Sequence, residues 1–259
     1  MKLPIYQVDA FTNKVFSGNP AAICPLESWI EEDLMQKIAA ENNLSETAFL
    51  VKKDGLYEIR WFTPSTEIDL CGHATLASAF VIFNFIHKNS SQVHFKYKFG
   101  MLEVNKKENL LEMDFPSNPP AEIKEPKGIV EALGSKPTKY FEKTFYTAVF
   151  ENESQVKNLT PDFNLLKEVH PHGVIATAPG EKVDFVSRVF APAVGIDEDP
   201  VTGSAHTELI PYWAARLGKE RLKARQISNR GGELTCELKG NRVKMAGEAA
   251  LYLIGEINI

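Results

Sequence analysis

Cysteine is scarce in this 259-residue chain, and what there is does not form a pattern. Cys24, Cys71 and Cys236 are an odd, widely spaced set without a CxxC, which indicates neither a disulfide framework nor a thiolate zinc site. There is no GxGxxG, no GxxxxGK[ST] and no HExxH, so the usual nucleotide and zinc-protease signatures are missing. His170-Pro171-His172 is the only close histidine pair, and a proline between two histidines reads as a loop, not as a metal site. Positive charge is not in excess either. A net charge of −5 offers no basic surface for nucleic acid or anionic lipid. The longest apolar stretch, near Ala74 to Ile86, is too short to span a bilayer, and Met1 to Asp9 has no apolar core of signal-peptide length. The expectation is a soluble cytoplasmic protein, without nucleic-acid or membrane partners, whose chemistry comes from side chains and backbone dipoles with no metal and no organic cofactor.

What is present is a sentence written twice. Arg60-Trp61-Phe62-Thr63-Pro64 leads to Ile68-Asp69-Leu70-Cys71-Gly72-His73-Ala74 and an apolar run; Arg188-Val189-Phe190-Ala191-Pro192 leads to Ile196-Asp197, then Thr202-Gly203-Ser204-Ala205 and a second, largely apolar run. Pro64 and Pro192 are 128 residues apart, Gly72 and Gly203 are 131 apart, and Gly100 with Gly232, like Met113 with Met245, are 132 apart. Ordered anchors at a slowly drifting offset are the mark of a duplication with small loop insertions. Length agrees, since 259 residues make two domains of ordinary size, and 44% hydrophobic residues supply both cores.

The local patterns give a mixed α/β (α+β) chain. Strands are expected at Ile5–Phe11, Thr47–Lys52 and Leu56–Phe62, the last two around Asp54-Gly55. Gly18-Asn19-Pro20 reads as a turn, and Ile30–Asn43 as an amphipathic helix. The helix from His73 is apolar nearly all round, and such a helix is enclosed. Val93–Phe99 and Met101–Phe115 add strands. Pro116, Pro119, Pro120 and Pro126 mark a linker. This places a first domain at residues 1–117, completed by the C-terminal strand 247–259, and a second at 118–246. In the second, strands are expected around 139–150, 173–177 and 184–190 and at 234–239, 242–246 and 250–257, with a helix near 163–170 and an enclosed helix from Ser204 that Pro211 should kink or break.

Several residues can carry chemistry. Gly72-His73 and Gly203-Ser204 each open a helix, where free N–H groups favour a carboxylate or phosphate; ordinary capping is the plainer explanation of either alone. Glu46 stands at the mouth of an apolar strand, poorly placed for hydration, which suits a general acid or base and fits a simple strand-start residue as well. His73 heads its helix and can shuttle a proton. Asp199, in Asp197-Glu198-Asp199-Pro200, serves the site or the turn. Cys71, just before a helix start, is a nucleophile, a base or a buried structural thiol.

Five motifs, Val8-Asp9-Ala10-Phe11, Gly18-Asn19-Pro20-Ala21, Asn43-Leu44-Ser45-Glu46-Thr47, Asp69-Leu70-Cys71-Gly72-His73-Ala74-Thr75 and Asp199-Pro200-Val201-Thr202-Gly203-Ser204-Ala205-His206, resemble in order those of the PhzF-like family, named for the phenazine-biosynthesis isomerase. The resemblance implies a duplicated diaminopimelate-epimerase-like fold, each domain a curved sheet wrapped around a central helix, with the active site in the cleft between domains. It implies a cofactor-independent isomerase that shifts a proton on a small, cyclic carboxylate. The catalytic roles fall on Glu46, as general acid/base, with His73 and Asp199; substrate binding falls on Asn19, Gly72, Gly203 and Ser204. Racemases of the wider superfamily use two cysteines, one at each helix start. Here Cys71 occupies the first place and Thr202 the second, which argues against a two-thiol mechanism. A one-thiol epimerase using Cys71 and a non-catalytic carboxylate-binding protein are the alternatives, and the expected assembly is a homodimer.

Overall fold

The computed structural model describes residues 1–259. The chain forms two compact units, residues 1–114 with 246–259, and residues 115–245.

The first unit runs Lys2–Ala10 (β1), Asn19–Leu26 (β2), Glu32–Asn42 (α1), Glu46–Lys53 (β3), Leu56–Phe62 (β4), Glu67–Ile68 (β5), Gly72–Val81 (α2), Gln92–Tyr97 (β6), Gly100–Lys107 (β7) and Leu110–Pro116 (β8), and it takes in the C-terminal strand Ala249–Asn258. Starting at that last strand, the sheet passes through β1, β2, β3, β4, β6 and β7, with neighbours antiparallel, antiparallel, parallel, antiparallel, parallel and antiparallel. β5 folds back antiparallel on the end of β4.

The second unit runs Ala121–Ile123 (β9), Ile129–Leu133 (α3), Lys139–Glu142 (β10), Tyr146–Val149 (β11), Glu153–Lys157 (α4), Phe163–Val169 (α5), Val174–Pro179 (β12), Phe185–Ala191 (β13), Ile196–Asp199 (β14), Gly203–Leu217 (α6), Arg221–Gln226 (β15), Gly232–Lys239 (β16) and Arg242–Gly247 (β17). From β9 through β10, β11, β12, β13, β15 and β16 the same six senses recur in the same order, and β14 folds back on β13 as β5 does on β4. The repeat in the sequence is thus a repeat of topology. The C-terminal strand holds in the first unit the place that β9 holds in the second.

Each unit encloses its long helix. In α2, His73 to Ala79 and Val81 are buried, while Gly72 and Phe80 are partly exposed, and α2 packs on β1, β2 and β3. Ala74, Ala77 and Ala79 keep the helix slim enough for the sheet to close around it. Its two hydroxyls turn back on the helix, Thr75 Oγ1 donating to the Cys71 carbonyl at 2.6 Å and Ser78 Oγ to that of Ala74 at 2.7 Å, so neither is left without a partner in an apolar shell. A second core in this unit gathers Met35, Ile38 and Ala39 of α1 with Phe49 and Phe62. Asp54 and Gly55, with φ of 51° and 82°, form the expected tight turn between β3 and β4.

Three expectations need correction. Pro211 does not end α6, which continues to Leu217. A proline there has no N–H for the carbonyl of Thr207, and the backbone N–H of Asn118 takes that acceptor at 3.0 Å, so the helix loses a bond without stranding a buried oxygen. Gly18-Asn19-Pro20 is a turn only at Gly18. There φ is +67° and a Cβ would meet the Ala10 carbonyl oxygen at 2.1 Å, whereas Asn19 and Pro20 already belong to β2. The proline-rich segment 116–126 is not wholly irregular, since it contains β9.

Candidate active site

The first cluster lies where β2, β3 and α2 begin. β2 and β3 are parallel, with Ala21 beside Glu46, so Asn19 and Glu46 sit at the same end of neighbouring strands. Gly18 sets the entry of β2 and with it the position of Asn19. Cys71 is the residue before α2, and His73 is in its first turn. Glu46, His73, Cys71 and Asn19 are all less than one-tenth exposed.

His73 Nε2 stands 2.9 Å from Glu46 Oε2. The two side chains form an ion pair when the ring is charged. On the other side of the ring, Asn19 Nδ2 is 3.1 Å and Cys71 Sγ 3.5 Å from Nδ1. A charged ring needs an acceptor at Nδ1, which the Asn19 carboxamide supplies by presenting its oxygen instead of its nitrogen. Burial opposes the imidazolium, but the Cys71 sulfur and the Glu46 carboxylate outweigh it, and the pKa of His73 is raised well above its ordinary 6.5. The carboxylate is the partner that matters near neutrality, because burial and Glu46 together push the Cys71 thiol up to about 11 and leave it uncharged. An acid and a base thus meet in one buried cluster, the arrangement from which a proton can be taken and returned. The first helical N–H of α2 to find an acceptor is that of Thr75, on the Cys71 carbonyl at 3.2 Å; the amides ahead of it have none within the helix.

The second cluster lies in the second unit, at the start of α6. Thr202 is the residue before that helix, the place that Cys71 holds before α2. Its hydroxyl donates to Asp199 Oδ2. Gln226, fully buried at the end of β15, clamps this turn: its Oε1 accepts the Thr202 N–H at 2.9 Å, and its Nε2 donates to the Asp199 carbonyl at 2.7 Å and to Thr202 Oγ1 at 3.1 Å. His206, also fully buried, has Nδ1 at 2.8 Å from the Thr202 carbonyl. Burial lowers its pKa to about 4, so near neutrality the ring is uncharged, Nδ1–H donates, and Nε2 is bare and unpartnered. Asp199 is half-buried, Gly203 buried and Ser204 exposed.

Of the expected residues, Asn19, Glu46, Cys71, Gly72 and His73 therefore meet in the first unit, and Asp199, Gly203 and Ser204 in the second. Gln226 and His206 were not expected. β15 reads Arg221, Leu222, Lys223, Ala224, Arg225, Gln226 with the even-numbered residues buried, so a glutamine at an inward position was the available signal. His170 Nδ1 accepts the N–H of His172 at 3.2 Å, a loop contact. No helix is long and apolar enough to cross a membrane.

Fold and cluster together define the class. The structure resembles that of a hydroxyproline epimerase of Agrobacterium vitis over 99% of this chain and 92% of the other, with a TM-score of 0.63 and 10% identity, a likeness of fold alone. The family model described as phenazine biosynthesis-like protein, PhzC-PhzF, matches residues 8–255. An uncharacterized isomerase of Pseudomonas aeruginosa is 49% identical over 259 residues, all of both chains. The crystal structure of an Enterococcus faecalis protein of the PhzF phenazine-biosynthesis family matches with a TM-score of 0.98 and 50% identity, again over all of both chains. The chain belongs to this PhzC-PhzF family, with its diaminopimelate-epimerase-like fold, and it is an isomerase.

Proposed function

We propose that the protein shifts a proton on a small, cyclic carboxylate without a cofactor, using Glu46 as the group that removes and returns the proton. The observation that carries this is the buried Glu46–His73 pair, with Nε2 2.9 Å from Oε2. His73 holds the carboxylate in place and offers its own proton. Asp199 is the third acid–base group, and Asn19, Gly72, Gly203 and Ser204 bind the substrate, the two glycines through helix-start amides that favour a carboxylate.

One observation favours a second reading. Cys71 Sγ lies 3.5 Å from His73 Nδ1, the spacing of a thiol and its base, as a one-thiol epimerase requires. Against it stand the upward shift of the thiol to about 11 and the threonine at the matching helix start. A carboxylate-binding protein without turnover is the remaining alternative.

Incubating the protein with cyclic carboxylates in deuterated water separates these readings. An isomerase washes solvent deuterium into its cognate ligand, and the Cys71→Ala protein retains that exchange if Glu46 is the base. Ligands that raise the melting temperature without exchange support the binding protein instead.

A further inference from the structure

The two units treat the first strand of their sheets differently. In the second unit that strand is β9, three residues long, with Glu122 paired to Lys139 at 3.2 Å. Shortness and charge are the ordinary means of keeping a sheet edge from pairing with another chain. In the first unit the same place is held by Ala249–Asn258, ten residues with neither proline nor lysine. Its one charged side chain, Glu256, is paired with Lys2 at 2.6 Å. β1 pairs with this strand along its length. Its middle is apolar and open to solvent, since Tyr252, Leu253 and Ile254 are 47%, 41% and 55% exposed. Successive side chains on a strand point to opposite faces, so the strand is uncovered on both.

Two local features build this surface. Gln7 of β1 stands opposite Leu253 and Val8 opposite Leu251, which makes Tyr252 the extra residue of a β-bulge, a device that re-aims a side chain. Beside it, Phe16 has φ of 69°, a conformation that bulky residues rarely adopt. Its N–H donates to Asp9 Oδ2 at 2.9 Å, and Asp9 is buried. The Phe16 ring is 70% exposed and meets that of Tyr252 edge-on, with centroids 5.6 Å apart. A strained backbone held by a buried carboxylate thus presents an aromatic ring to water, which is unfavourable unless something covers the ring. With the adjacent Val15, also exposed, the patch offers roughly 450 Å² of apolar surface, at the size that marks interaction sites. Two such patches face to face remove roughly 900 Å² from water, and the backbone edges and flanking side chains bring the total past the ~1,000 Å² of a specific interface.

We propose that this surface joins two copies of the chain about a two-fold axis at Leu253, with their C-terminal strands antiparallel and edge to edge. A two-fold axis makes a strand meet itself in the antiparallel sense, so the pairing is self-complementary. Tyr252 then lies opposite Ile254 of the partner subunit, and Ile254 opposite the partner's Tyr252, aromatic with β-branched, a pairing that stabilises sheets. The patch carries no unpaired charge to recruit a partner of opposite sign, and Glu256 is already neutralised by Lys2. A second copy therefore covers it without burying a lone ion. The interface is independent of the chemistry assigned to Glu46.

The test is sedimentation equilibrium of the full chain, followed by cross-linking. The wild type should sediment at twice the 28.9 kDa of one chain at concentrations of about 10 μM, a dimer of ordinary affinity. Ile254→Lys places like charges in the apolar interface and should weaken association by at least about 100-fold while the far-ultraviolet circular dichroism stays that of the wild type. Leu165→Lys, at an exposed leucine of the second unit, leaves the dimer intact. Leu253→Cys locates the axis and decides the matter even if Ile254→Lys fails to fold. Directly opposed Cα atoms of an antiparallel pair are about 4.5–5.5 Å apart, within the span of a disulfide, so mild oxidation with copper phenanthroline should give a covalent dimer from Leu253→Cys and none from Leu165→Cys. A monomeric wild type, a folded Ile254→Lys protein that dimerises as tightly as the wild type, or a dimeric Leu253→Cys protein that does not cross-link overturns the proposal.

Discussion

His73 Nε2 and Glu46 Oε2 approach to 2.9 Å across the mouth of the first unit, one from the opening turn of α2 and the other from the first residue of β3. The pair makes stability depend on pH in a defined direction. His73 titrates higher in the folded protein than in the unfolded chain, so its stabilisation is complete below about pH 6.5 and is lost as pH rises through the raised folded value. The melting temperatures of the wild type and of His73→Gln should therefore differ most near about pH 6 and converge in alkaline solution. A gap that stays constant across that range contradicts the ion pair.

His206 should act in the opposite sense. Its folded pKa, lowered to about 4 by burial, means that acid favours the unfolded chain, which binds the proton more readily. Between about pH 6.5 and 4 this histidine alone should cost on the order of 3 kcal/mol of stability. His206→Asn keeps a donor near the position of Nδ1 and cannot be protonated. Denaturant melts of this variant should lose much of the wild-type acid sensitivity in that window; an unchanged acid limb would show that His206 is not its source.

Gln226 is expected to be a positioning residue. Removing it in Gln226→Ala strands the Thr202 N–H and the Asp199 carbonyl, at about 1–3 kcal/mol for a buried group left unpaired. If Asp199 helps to hold the transition state, kcat should fall as well as stability, and Gln226→Glu, which keeps the acceptor for the Thr202 N–H but not both donors, should recover only part of either. Loss of stability with full kcat in the folded fraction would make Gln226 structural only.

Cys71→Ser should leave turnover within about tenfold of the wild type. The thiol is buried, uncharged near neutrality and unmatched by a second cysteine at Thr202. A loss of about 10³ or more with the fold intact would restore the thiol as the base.

Much of this was legible in the sequence, for definable reasons. The enclosed α2 announced itself because an all-round apolar helix has no surface to face water, and the duplication because loops drift while strand-loop-helix anchors keep their order. β2 was hidden by Pro20 and Pro25, residues that a hydrogen-bonded ladder ordinarily excludes, and β15 by four polar side chains in six. The continuity of α6 through Pro211 depends on Asn118, a residue far away in the sequence whose N–H takes the Thr207 carbonyl. The same holds within the site. The residue types at Glu46 and His73 suggested acid–base work, but the closeness of Asn19 and Cys71 to one nitrogen of the His73 ring while Glu46 faces the other, and the grip of Gln226 on Thr202, arise only when parallel and antiparallel strands are assembled into sheets.

The most direct test of the account is isotope exchange by Glu46→Gln. The amide keeps the shape and polarity of the carboxylate but cannot take a proton, so the variant should still be stabilised thermally by the ligands that stabilise the wild type. Its rate of solvent-deuterium incorporation into a cognate cyclic carboxylate should fall by about 10² to 10⁴, the usual worth of a general base. Near-normal exchange by a folded, ligand-binding Glu46→Gln protein would contradict the assignment of the proton transfer to Glu46.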